Sequence, residues 1–201
     1  MKRLLLLISL VVAVSPFVRA QPLSAEEVAR ATDHLQKTSA AFLASVHGLS
    51  TAQLNFKAGP TRWSVAEVAE HIASAEDFLM GMIKEQVMKA PARTEPANVK
   101  ETDDLVLQAI SDRTNKLKAP EPLVPNNRFG STEGSVDHFK QSRANTIAFL
   151  KDTKDLRDHA IDSPLGKKLD AYEWVLFISA HSERHTKQIN EVKADPNFPK
   201  A

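Results

Sequence analysis

The stretch DAYEWVLFISAHSERHTKQINEV, residues 170–192, decides the fold. Asp170 followed three positions later by Glu173 has the form of a capping box, in which side-chain oxygens satisfy the orphan amide groups at a helix start. Trp174, Ile178, His181, His185, Ile189 and Val192 then recur every three or four residues, the period of one buried helical face. Pro196 and Pro199 end the run. The spacing predicts a long amphipathic helix with two imidazoles set into its apolar stripe.

Working back from that helix, the same punctuation recurs. Ser24 and Glu27 form a capping box before a stripe at Val28, Leu35, Phe42, Val46 and Leu49, which predicts a helix over 24–47 closed by Gly48. Ser64 and Glu67 repeat the signal after Gly59 and Pro60, and Val65, Val68, Ile72, Ala75, Leu79 and Met82 carry an inward face to about Lys89. Pro91 and Pro96 break the chain. Thr102 to Lys118 reads as a shorter, more polar helix with Val106, Ile110 and Leu117 on one side. Residues 119–134 hold Pro120, Pro122, Pro125, Asn126, Asn127, Gly130 and Gly134, which supply turns and remove backbone donors, so a long loop is expected. Ser135 opens a run to near Thr153, with Val136, Phe139, Ile147 and Leu150 inward. A second loop, with Pro164 and Gly166, leads to Asp170. No useful strand alternation and no internal repeat appear, so the fold class is all-α.

The chain begins Met1-Lys2-Arg3, runs uncharged from Leu4 to Val14, and places Val18 and Ala20 before Gln21. A positive start, a short apolar run and small residues at the cleavage positions describe a secretory signal peptide over residues 1–20, and hence a periplasmic or secreted protein. The expected organisation is this leader, one domain over 21–195, and a flexible tail at 196–201. Losing Lys2, Arg3 and Arg19 leaves 23 basic residues against 25 acidic ones, a net charge of about −2. Interspersed charge of that kind offers no footprint for a phosphate backbone, so nucleic acid is not an expected partner, and no stable membrane anchor remains after cleavage. The chain has no cysteine, which excludes thiol nucleophiles, disulfides and thiolate metal sites. Any metal must be held by nitrogen and oxygen.

His181 and His185, four apart on a helix, share a face with Cβ atoms about 5–6 Å apart. Seven histidines in a chain of this length give roughly 0.2 such pairs by accident, so the spacing needs its context. That context is burial: an imidazole on an inward face must find a partner or cost about 1–3 kcal/mol, and one shared cation satisfies two at once. His71, beside Val68, Ile72, Ala75 and Phe78, points inward from a second helix. Three neutral imidazoles with an open position match a catalytic-type zinc site. The competing reading is a set of core histidines bonded to carbonyls or carboxylates. His34, His47, His138 and His159 show no comparable pairing and read as surface or incidental. A zinc-protease helix is excluded, because Glu183 lies two residues after His181 and so about 200° around the helix from it. Glu67 has a structural role as capping partner of Ser64, Trp63 and Trp174 read as packing anchors, and Arg128, Phe129 and Gly130 are candidates for a pocket mouth.

Trp63-Ser64-Val65-Ala66-Glu67-Val68-Ala69-Glu70-His71 resembles the opening of helix two in DinB-like proteins. Ser163-Pro164-Leu165-Gly166, Tyr172-Glu173-Trp174, and His181 through His185 with Gln188-Ile189 resemble that family's closing segment, in the same order and at a fitting separation. Residues 90–134 carry no matching motif. The resemblance implies a four-helix bundle, here with an additional short helix and long connecting loops, often dimeric. It also implies one divalent ion, zinc or nickel before iron or copper, held by His71, His181 and His185. Relatives of this kind include thiol-dependent isomerases and S-transferases, whose small thiols are mainly cytosolic; an exported member is expected to act otherwise. The expectation is a metal-dependent hydrolase or transferase acting on a small molecule outside the cytoplasm, or else a non-catalytic periplasmic module that binds metal or a small molecule. No catalytic base is evident.

Overall fold

Capping chemistry sets most of the helix starts. In the computed structural model, which describes residues 22–93 and 98–200, α1 (Ala25–Val46), α3 (Val65–Met82) and α6 (Ala171–Lys193) each open on the expected capping box, from Ser24, Ser64 and Asp170. The leader expected at residues 1–20 lies outside the described residues. Gly48 follows α1 at φ +72°, a left-handed conformation that costs glycine nothing. A further box, Ser50 with Gln53, opens a one-turn helix, α2 (Thr51–Asn55), which the sequence reading missed because no apolar period accompanies it. Beyond α3 the helix widens into a π-helical turn over Ile83–Val87.

The shorter helix, α4 (Val99–Ser111), stops well before the expected Lys118. Asp112 accepts the Thr114 amide at 2.9 Å, a local bond that competes with continuing the helix, and Leu117 is left 81% exposed rather than inward. In contrast α5 (Thr132–Asp152) starts three residues before Ser135, capped by Ser131, whose hydroxyl accepts from Gly134 at 3.0 Å. Gly134 is required there: a Cβ would stand 2.3 Å from the Phe129 carbonyl oxygen. A single 3₁₀ turn, Glu121–Leu123, interrupts the long loop. Contrary to the expectation of no strands, β1 (Ala160–Asp162) and β2 (Lys168–Asp170) pair antiparallel with Ile161 opposite Leu169. Three-residue strands are too short to show alternation in a sequence, and their turn is the Ser163–Gly166 stretch.

The four long helices close a ring in which α6 packs on α1 and α3, and α5 packs on α3 and α1; α4 lies outside, against α6. This is a four-helix bundle with α4 as its additional helix. Its core is two apolar clusters, one around Leu35, Tyr172, Trp174 and Ile178, the other around Phe42, Val68, Ile72, Phe139 and Ile189. A buried polar network also runs through the bundle. Arg143 on α5 grips Glu76 on α3 through two hydrogen bonds of 2.8 and 2.7 Å, and reaches the Leu35 carbonyl, Thr38 and Ser182 from α1 and α6. Thr146 adds a bond to Glu76. Each of the four helices contributes, so sliding any one of them breaks charged hydrogen bonds. Phe78, expected beside the inward histidine, is instead 44% exposed. Residues 196–200, expected as a tail, run back to α2, where Phe198 meets Phe56 edge-on and Gln53 donates to the Pro199 carbonyl. Among the described residues no helix is long and apolar enough to cross a membrane.

Candidate metal centre

His71 comes from α3, and His181 and His185 from α6, where these two helices face each other beneath the 112–128 loop. One ligand atom from each of the three histidines lies within 4.8 Å of the others, so the group could hold a metal ion. The ring centroids are 5.1 Å apart for His71 and His181, 4.3 Å for His71 and His185, and 4.4 Å for the helical pair. The i, i+4 spacing brings the pair together, and the α3–α6 packing supplies the third. His71 is buried, and the other two are half-buried.

Hydrogen bonding decides which nitrogens carry protons. His71 Nδ1 lies 2.8 Å from the Leu123 carbonyl oxygen, which can only accept, so Nδ1 holds the proton and Nε2 bears a lone pair. His185 Nδ1 lies 2.8 Å from Gln188 Oε1. Arg113 Nη1 donates to that same oxygen at 3.1 Å, which settles the amide's orientation and makes His185 Nδ1 a donor too. Arg113 is itself fixed by bonds of 2.8 and 3.0 Å to Glu191. The consequence is that His71 Nε2 and His185 Nε2 face each other across 3.2 Å, each with a lone pair. Two nitrogens on one tetrahedral zinc, bonded at about 2.0–2.1 Å, stand ~3.3 Å apart. The donor set and its spacing therefore fit a cation.

Electrostatics point the same way. Burial holds all three imidazoles below the ordinary histidine range, His181 and His185 well below it. The neighbouring His71 and Arg184 depress His181 further, and the other two histidines do the same to His185. Neutral imidazole is the form that binds metal. Trp63 packs on His71 with centroids 4.9 Å apart, and Phe177 lies nearly parallel to His181 at 6.4 Å, giving the group an apolar surround.

The four remaining histidines lie elsewhere: His34 bonds to Ser179, His138 to Asp77 and His159 to the Ala90 carbonyl, and His47 is the exposed C-cap of α1. Glu183 pairs with Lys187 on the outer face of α6. Glu67 closes the Ser64 cap and takes Lys57 at 2.7 Å. Glu70 accepts the amides of Asn126, Asn127 and Arg128, and these bonds outweigh its burial to hold its carboxyl below the usual range. Of the loop residues expected at a pocket mouth, Arg128 pairs with Glu70 and Phe129 stacks on His138 at 4.4 Å. Gly130 borders an open cavity of about 740 Å³, with walls as apolar as they are polar, that also touches Glu67 and Glu70. Leu123 and Arg113 join the site with no local sequence signal. Gln188 had a signal, since it follows His185 by three and shares its face.

A four-helix bundle with one histidine on its second long helix and two on its last defines the class. The chain belongs to the DinB superfamily, whose sequence model matches residues 34–189. It is 32% identical over 149 residues to the uncharacterised protein YuaE of Bacillus subtilis (strain 168), covering 73% of this chain and 86% of that protein. It also shares its fold with YfiT from Bacillus subtilis, described as a probable metal-dependent hydrolase with an unusual four-helix bundle topology. That similarity has a TM-score of 0.54 at 15% identity, over 90% of this chain and 93% of the other.

Proposed function

We propose that His71, His181 and His185 hold one divalent metal ion, and that the protein is a metal-dependent hydrolase or transferase acting on a small molecule outside the cytoplasm. The observation that carries this is the pair of lone pairs on His71 and His185, 3.2 Å apart, with both Nδ1 protons committed to other acceptors. Such an arrangement is repulsive between neutral rings and attractive around a shared Lewis acid. Three neutral nitrogens suit zinc or nickel, and iron or copper are compatible with the same donors. When bound, the ion supplies Lewis acidity, drawing electron density from a substrate oxygen and easing deprotonation of water. Because the ligands are neutral, they leave the ion's charge undiminished for that work. Trp63 and Phe177 set apolar surface beside the rings of His71 and His181, which lowers the local dielectric and strengthens electrostatic interactions at the site. The resemblance in fold to YfiT supports the hydrolase reading, and the basic start, the uncharged run from Leu4 to Val14 and the small residues Val18 and Ala20 support export.

A second reading, a binding module without catalysis, is favoured by one observation. Among the described residues no carboxylate joins the histidine group, and the two nearest in sequence to His71, Glu67 and Glu70, are occupied by a helix cap and a loop. The first test is elemental analysis of the purified protein beside His71→Ala and His181→Ala. About one metal per chain, lost in both variants, supports the site; metal that survives either change refutes it. Export is tested by N-terminal sequencing of the extracytoplasmic protein, which should begin at Gln21; an intact Met1 confined to the cytosol refutes it.

A further inference from the structure

We propose that Glu70 is a positioning residue for the metal centre, acting on His71 through the 122–128 turn; the inference rests on the three-histidine reading above. Glu70 is adjacent to His71 on α3, so its side chain leaves the helix about 100° away from the imidazole and approaches the loop by a separate path. It is 6% exposed, and its two oxygens accept three consecutive backbone amides, Asn126 at 2.8 Å, Asn127 at 2.9 Å and Arg128 at 3.2 Å. That convergence depends on Asn127 adopting φ +64°, a conformation asparagine tolerates better than most residues.

Arg128 then carries the restraint back toward the imidazole. Its Nε sits 3.4 Å from Glu70, while Nη2 donates to the carbonyls of Pro122 at 3.0 Å and Val124 at 3.1 Å. Those are the two carbonyls on either side of Leu123, whose own carbonyl accepts the His71 Nδ1 proton. The circuit runs from Glu70 through Arg128 to the peptide units flanking Leu123 and returns to the neighbouring side chain on α3. Leu123 closes a 3₁₀ turn and buries its side chain, which brings its carbonyl to the bundle, and the two Arg128 bonds fix the orientation of the peptide units on either side of it. The Glu70 carboxylate anchors Arg128 and the three amides of the turn, and without it the Leu123 carbonyl loses the alignment that keeps the His71 Nε2 lone pair facing the other two rings.

The test uses Glu70→Gln, which keeps the side chain's shape but loses an acceptor oxygen and the charge facing Arg128, together with Arg128→Ala. Leu150→Ala on α5 controls for loss of stability alone. Nitrogen-15 NMR of the metal-free proteins at neutral pH reports the His71 tautomer, and chelator competition with zinc alone reports affinity. The expected result is Nδ1–H in the unaltered protein and in Leu150→Ala. In Glu70→Gln and Arg128→Ala a mixture is expected, with zinc affinity roughly 10–100-fold weaker and helical circular dichroism retained. An unchanged His71 tautomer in both Glu70→Gln and Arg128→Ala overturns the proposal. If the unaltered protein binds no zinc, the three-histidine reading fails, while the tautomer measurement still decides the role of Glu70.

Discussion

Replacing Gln188 with leucine removes the oxygen that accepts both His185 Nδ1 at 2.8 Å and Arg113 Nη1 at 3.1 Å. Arg113 stays in place, because its two bonds to Glu191 do not involve Gln188. The effect therefore falls on His185. To offer Nε2 to a metal, its ring must keep a proton on Nδ1, and in the variant that proton has no acceptor. An unsatisfied donor in a partly buried site costs about 1–3 kcal/mol, which corresponds to a loss of roughly 5- to 150-fold in zinc affinity. Losing an outer-shell partner of a metal ligand typically costs 10–100-fold, which falls inside that range. Competition against a chromophoric chelator measures it directly. Gln188→Glu separates orientation from packing: its carboxylate accepts from both partners, so affinity should match or exceed that of the unaltered protein. Zinc binding by Gln188→Leu within threefold of the unaltered protein would refute the reasoning, as would equal losses in both variants.

Three further outcomes follow from the buried charges. Arg143→Met leaves Glu76, 1% exposed, without its cation, and should destabilise the fold by about 3–5 kcal/mol, lowering the melting temperature by roughly 6–20 °C; a drop under 3 °C refutes the structural role given to the pair. Burial raises the carboxyl of Glu173 to about 7, with the neighbouring Asp170 adding to the shift. Its folded form therefore binds a proton that the unfolded form has released, so this group's contribution to stability falls as pH rises from about 4.5 to 7. Urea titrations across that range should show a flatter profile for Glu173→Gln, and an identical slope in both proteins counts against the assignment. The three site histidines act in the opposite sense: their folded values lie below the ordinary 6.5, so the metal-free protein should lose stability as pH falls through 6.5, and a His181→Ala/His185→Ala variant should lose less over the same interval.

The helices, their inward faces and the candidate ligands were legible without coordinates, because each is written at short range. A capping box spans four residues, and the His181–His185 pair is one turn long, so local spacing carries both. His71 was legible as an inward-facing side chain and by its family motif. Local patterns failed where one residue's conformation depends on a distant partner. Glu76 and Arg143 are far apart in the chain and meet only when α3 and α5 pack. The end of α4 and the β1–β2 hairpin escaped for local reasons instead: the Asp112–Thr114 bond competes with continuing the helix, and three-residue strands leave no alternation to read. The metal-facing geometry, like the Glu76–Arg143 pair, depends on a partner distant in the chain. Leu123 accepts through its carbonyl, a group every residue carries, so no side-chain motif marks that bond. Sequence alone determined that three imidazoles would be available on inward helix faces. Tertiary structure decided which nitrogen each of His71 and His185 presents, because a tautomer is set by the acceptor that the fold places beside the other nitrogen.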